Sequence, residues 1–213
     1  MRLIATSIGR PRIIGTIHDE PVLSGIIKHV VTEASVFVGA TNIAGDEQAD
    51  LTVHGGPDKA VYLYPADHWP WWESEHGIAC APATFGENLT LQGADETDIH
   101  IGDRLQWGDA HLEVSQPRGP CYKLGMSLRE DAPMRMTVSA RCGWYCRVLK
   151  EGRAPSQGEI TRTQIRDAPS VRDAFIAVYH PRADRALREA VASTPALAEM
   201  WRSAAVRRLA EMR

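Results

Sequence analysis

A change of hydrophobic period near residue 160 constrains this chain more than any other feature. Before it, apolar residues come in short bursts or alternations broken by Gly, Pro, Asn and Asp, a pattern that predicts strands and turns rather than long helices. In DRLQWGDAHLEV, a two-residue turn at Gly108-Asp109 sets Trp107 opposite Ala110 and Leu105 opposite Leu112, with Val114 continuing the same apolar face. Arg104, Gln106, His111 and Glu113 fall on the other face. Further strands are predicted at Arg2–Ser7, Ser35–Val38, Ala60–Tyr64, Asn88–Leu91 and Trp144–Leu149. So many short strands are most simply joined in a mostly antiparallel barrel. Pro65–His76 reads as a helical turn or short helix with a tryptophan cluster, interrupted by Pro70, its rings covering the barrel.

After Pro169 the period becomes helical. Ser170 with Asp173 resembles a capping box, and Val171, Ala174, Phe175 and Val178 share a face. Pro181 ends that helix, a second is predicted through Asp184–Ala192, and Thr194-Pro195 is read as the start of a third running through Leu197, Trp201 and Leu209. The expected fold is therefore mainly β (α+β), a closed β-barrel over residues 1–163 followed by a small three-helix appendage over 164–213.

A chain of 213 residues buries a core without disulfides. Its apolar runs fall short of the roughly 18 residues that a membrane span requires. The opening MRLIATSIGRPR lacks a sustained apolar stretch and a cleavage pattern, so a cytoplasmic, membrane-free protein is expected. Four scattered cysteines point to reduced thiols. Residues 161–213 carry ten arginines against six acids, whereas the preceding 160 carry fourteen basic against twenty-one acidic residues. Such a basic tail suits a docking surface, or a nucleic-acid contact, although a solvated helix face explains it as well.

Three segments carry chemistry. In SQPRGPCYKLG (residues 115–125), two prolines stiffen a loop that presents Cys121 between Arg118 and Lys123. Nearby cations favour a thiolate, which is both nucleophile and metal ligand. In GDEQADLTVHGGPDK, Gly55-Gly56 lets backbone amides approach an anion, with His54, Asp58 and Lys59 alongside. The segment lacks the Gly-Lys-Ser/Thr ending of a nucleoside-triphosphatase loop. In FGENLT, Glu87 and Asn88 stand beside a flexible glycine, and taken alone they read as a turn. Cys142 and Cys146 have no second ligand pair at zinc spacing and are assigned to the core, and Cys80 is structural or incidental.

Taken together, GDEQAD, VHGGPDKAVYLYP, FGENL, GDRLQWGDAHLEVSQPRGPCYKLG and GWYCRVL resemble the ordered motifs of the MOSC-domain family, in its YiiM-like branch. The resemblance covers roughly residues 24–150, and the C-terminal helices resemble that branch's appendage. It implies a barrel related to the pyruvate kinase β-barrel domain and a molybdenum cofactor (Mo-molybdopterin). Its metal-ligating cysteine falls on Cys121, and Lys28, His54, Lys59, Glu87, Asn88 and Arg118 fall on expected pocket positions, with Gly55, Gly56 and Lys123 completing the cofactor surroundings. Glu87 or His54 would handle protons. The implied activity is reduction of N-hydroxylated compounds, base analogues such as 6-hydroxylaminopurine foremost. No flavin or nicotinamide fingerprint is present, so a separate flavoprotein reductase is the expected electron donor. A non-catalytic cofactor-binding or sulfur-carrier role is the alternative, a nucleic-acid-binding module a lesser one, and a homodimer stays open.

Overall fold

A computed structural model describes residues 1–49, 55–165 and 167–212. Within them the strands are β1 Arg2–Ile8, β2 Arg12–Ile17, β3 Glu20–Ser24, β4 His29–Val30, β5 Ser35–Val38, β6 Val61–Pro65 and β7 Leu89–Gln92. They continue as β8 Arg104–Trp107, β9 Ala110–Pro117, β10 Trp144–Lys150, β11 Gly152–Pro155, β12 Gly158–Glu159 and β13 Thr161–Thr163. The helices are α1 Trp69–His76, α2 Tyr122–Ser127, α3 Ala132–Ser139, α4 Val171–Tyr179, α5 Arg185–Ala192 and α6 Glu199–Ala210.

The main sheet runs β12-β1-β7-β6-β10-β9-β8-β13, with β4 paired to β1. The β8–β9 hairpin has the predicted register, Trp107 opposite Ala110 and Leu105 opposite Leu112, and its apolar face is buried. The pairing is antiparallel except between β6 and β7, where Leu63 lies beside Leu89 in a parallel pair. The expected closed barrel is not formed. The sheet curls into a half-barrel whose two end strands, β12 and β13, are consecutive pieces of chain separated by Ile160. β12 pairs with β1 and β13 with β8, so this one bent segment lies across the gap and supplies no ladder between its own halves. The fold is accordingly mixed α and β, a curled sheet with helices packed on it.

Trp72, Trp107, Trp144, Tyr64 and Phe85 are the largest side chains sealed in the interior. Burying each apolar side chain contributes roughly 1.5–3 kcal/mol against solvent exposure. Cys142 and Cys146 are buried with them, and burial pushes both thiols up, Cys142 well above its ordinary value. Pro70 does not interrupt the tryptophan helix, because it occupies the first turn of α1, where a backbone N–H has no intrahelical acceptor to lose.

At the C-terminal end, α4 starts at the predicted capping box, Ser170 Oγ accepting from Asp173 N and Asp173 Oδ2 from Ser170 N. α5 starts at Asp184, whose carboxylate accepts from Leu187 N. The third helix begins later than expected, at Glu199, since Thr194 Oγ1 donates back to Ala190 O and so finishes the turn after α5. Buried Arg188 ties the helices together by donating to Ala177 O and His180 O. The bundle is anchored to the sheet by the backbone bonds Val171 N to Ile99 O and Ala198 N to Ser115 O. Among the described residues no helix is long and apolar enough to cross a membrane.

Candidate functional site

Strand register builds the floor of the site. Gln116 on β9 pairs with Tyr145 on β10, and Tyr145 pairs with Tyr62 on β6. Tyr62 in turn exchanges hydrogen bonds with Asn88, whose N donates to Tyr62 O and whose Oδ1 accepts from Tyr62 N. Four polar side chains from segments far apart in sequence thus lie in a row, while the next residues Cys146 and Leu63, and Val114 across the bulge in β9, turn into the core. The rings of Tyr62 and Tyr145 lie 5.0 Å apart.

β9 ends at Pro117, and the chain turns through Arg118, Gly119 and Pro120 to Cys121, the extended residue just before α2. The sequence reading treats this stretch as loop through Gly125, yet α2 starts immediately after Cys121 and α3 follows. Cys121 is partly exposed and unpaired as a disulfide, unlike the sealed Cys142 and Cys146.

Arg118 is 4% exposed. Its Nη1 lies 3.1 Å from the Met136 sulfur, its guanidinium stands 5.4 Å from the centre of the Tyr62 ring, and it hydrogen-bonds Tyr145. No carboxylate pairs with it among the described residues. Burial works to lower its pKa, but the neighbouring Tyr62, Cys121, Tyr145 and Cys142 outweigh this, so it stays cationic. Burial holds the Tyr62 and Tyr145 phenols above their ordinary value despite Arg118, keeping both protonated. A buried cation balanced by no acid is an anion-binding group.

Lys28 has a different setting. Its Nζ makes a short contact with Asp46 Oδ1, and Asp46 also accepts from Gly9 N at 2.8 Å and Asn88 Nδ2 at 2.9 Å. The other Asn88 amide hydrogen goes to Ser7 O. Asn88 therefore spends both donors inside the protein and positions Asp46 and Tyr62, leaving no donor to read a heterocycle edge. Lys123 Nζ donates to Leu23 O, and Lys59 is half-buried, its pKa lowered by desolvation against the opposing pull of Asp58.

Lys28, Lys59, Asn88, Arg118, Cys121 and Lys123 all line one polar compartment of about 90 Å³. A second compartment of about 550 Å³ shares Lys59, Gly119, Cys121 and Tyr145 with it, and is completed by Val178 and Tyr179 of α4 and residues of α6. Cys121 stands where the two meet. Glu87 does not line either compartment. It is sealed, with Oε1 accepting from Ala83 N and Thr90 Oγ1 and Oε2 from Phe85 N, so its carboxyl organises the turn before β7. Gly55 and Gly56 also lie off both linings, Gly56 taking φ 95° at the start of the turn Pro57–Lys59. His54 lies outside the described residues. Asp46, Tyr62 and Tyr145 were missed from sequence. All three stand in the quoted motifs, Asp46 in GDEQAD, Tyr62 in VHGGPDKAVYLYP and Tyr145 in GWYCRVL, but the tyrosines come together only through pairing between distant strands.

Residues 50–162 match the MOSC domain and residues 169–211 the YiiM-like, 3-alpha helix domain. The chain is 36% identical to the uncharacterized protein YflK of Bacillus subtilis over 203 residues, covering 94% of this chain and 91% of that one. It is 38% identical over 125 residues to a protein of Gibberella moniliformis named reductase, covering 56% of this chain and 22% of that one. The crystal structure of YiiM from Geobacillus stearothermophilus superposes with a TM-score of 0.79 at 33% identity, covering 97% of each chain. The chain belongs to the MOSC-domain family and carries the YiiM-like three-helix domain at its C-terminal end.

Proposed function

We propose that the protein is a molybdenum-cofactor-dependent reductase of N-hydroxylated compounds, with Cys121 as the thiolate that ligates the metal. The observation that carries this reading is a partly exposed thiol at the meeting point of two compartments, beside a buried arginine that no acid neutralises among the described residues. MOSC domains are associated in general with the molybdenum cofactor, and one matching relative bears the name reductase.

The residues present fit such a group. Among the described residues no three His, Cys, Asp or Glu side chains converge on a point, and Cys121 would offer one thiolate to a metal whose other ligands come with the cofactor. Arg118, Lys59 and Lys123 suit an anionic phosphate, and the Lys28–Asp46–Asn88 network fixes the wall behind them. When bound, the cofactor supplies the two-electron, oxygen-accepting chemistry. The overall change balances as R–NHOH + 2e⁻ + 2H⁺ → R–NH₂ + H₂O, with the electrons delivered by a separate flavoprotein reductase. N-hydroxylated bases such as 6-hydroxylaminopurine are the proposed substrate class.

The protein's own part is to hold, orient and protonate. Tyr62 and Tyr145 keep Arg118 in place, and Pro117 and Pro120 limit the swing of the Cys121 loop. With Glu87 turned into its own loop, Lys59, which lines both compartments and whose pKa burial lowers, is among the described residues a side chain that can hold a proton there, in addition to the His54 expected from the sequence. The test is Cys121→Ser, purified from a cofactor-competent cell and assayed for bound molybdenum and reductase-coupled turnover. Metal content is expected to fall by more than the roughly 10–100-fold that loss of a mere supporting partner costs. Undiminished molybdenum and turnover in a folded variant overturn the assignment.

A further inference from the structure

We infer that the 550 Å³ compartment between the Cys121 loop and helices α4 and α6 seats the substrate, and that it selects a planar nitrogen heterocycle bearing an anionic group, as in a nucleoside monophosphate, over a bare base. The reaction performed there rests on the reading above, but the binding chemistry stands on the walls of the chamber alone.

Those walls divide by character. Tyr179, packed edge to face against the buried Trp201 at 5.7 Å, lines the chamber with Val178 and Met200 as an apolar surface of the kind on which a flat ring stacks. Trp201 is 3% exposed, and its buried Nε1 has no hydrogen-bond partner among the described residues. The cationic lining consists of Lys59, Arg207 and Arg208 against the single acid Glu211. Arg208 is engaged, donating to Val178 O and Glu211 Oε2. The Arg207 guanidinium has no ion pair or hydrogen bond among the described residues. An exposed arginine by itself means little. On the lining of an aromatic chamber with an excess of positive charge, it favours a ligand whose flat end stacks and whose other end is an anion.

The experiment is calorimetric titration of adenosine monophosphate and of adenine into the purified full-length chain, into Arg207→Ala and into Ala204→Phe. Ala204 lines the chamber, so the larger side chain narrows it. The monophosphate is expected to bind at least about tenfold more tightly than adenine, the effect of one charge-assisted contact, and Arg207→Ala to remove most of that difference. Ala204→Phe is expected to weaken both ligands. Equal affinities, an unchanged ratio in Arg207→Ala, or no binding of either ligand overturns the selection of an anionic heterocycle. Full binding by a folded Ala204→Phe chain places the ligand elsewhere and overturns the chamber as its seat. None of these readouts depends on molybdenum, so the chamber and the Cys121 assignment can fail separately.

Discussion

At the scale of single residues, buried charge decides what the site can hold. Arg118 lies under the loop with two phenols and a thioether for company, and a neutral side chain in its place leaves the polar compartment with Lys28, already paired to Asp46, as its buried cation among the described residues. Arg118→Met is expected to weaken retention of an anionic cofactor by about 1.5–3 kcal/mol, or roughly tenfold to a hundredfold, measured as molybdenum per chain. Glu87 works differently, since both its oxygens serve the turn that leads to Asn88. Glu87→Gln puts an NH₂ group where an acceptor is needed and should cost about 1–3 kcal/mol in urea unfolding. Burial raises the Glu87 pKa above its ordinary 4.5, against the hydrogen bonds from Thr90, Ala83 and Phe85. The folded chain therefore binds that proton more tightly than the unfolded one. The native advantage over Glu87→Gln is expected in full below 4.5 and should shrink as pH rises through the elevated value, which unfolding curves at several pH values will show.

At the scale of elements, local chemistry and tertiary packing agree most closely in the C-terminal helices. Ser170 caps α4, and α4 carries Val178 and Tyr179 to the chamber wall. Ser170→Ala is expected to lower stability by about 1 kcal/mol, read as an earlier thermal midpoint with the site chemistry otherwise intact. This cap was legible because Ser and Asp three positions apart before an apolar period form a local signal. The helices α2 and α3 were not legible. α2 has only six residues, so its place is set by the burial of its own Leu124 and by packing against the neighbouring α3 rather than by propensity.

For the molecule as a whole, stability is expected to be uneven. Strands β6, β9 and β10 are central in the main sheet and carry buried Leu63, Val114 and Trp144, whereas β2 and β3 form a separate two-stranded ribbon that exposes Ile13 and Leu23. An isolated ribbon is marginal by itself. Hydrogen exchange followed by mass spectrometry should find the central strands slowest and residues 12–24 fastest, and equal protection would contradict this reading of the architecture.

The amino-acid sequence alone determined what depends on neighbours a few residues apart. This includes the β8–β9 hairpin with its register, the change to helical period after Pro169, the α4 cap, and a cysteine presented just after two prolines at the end of a strand. The tertiary structure decided whatever requires distant segments to meet: the curl that stops short of closure, the alignment of Gln116, Tyr145, Tyr62 and Asn88, the burial of Lys28 against Asp46, and the chamber enclosed by α4 and α6. The reason is physical. A turn or cap is specified by the torsional and hydrogen-bonding preferences of adjacent residues, while strand order and cavity walls follow from how the whole set of apolar faces is buried at once.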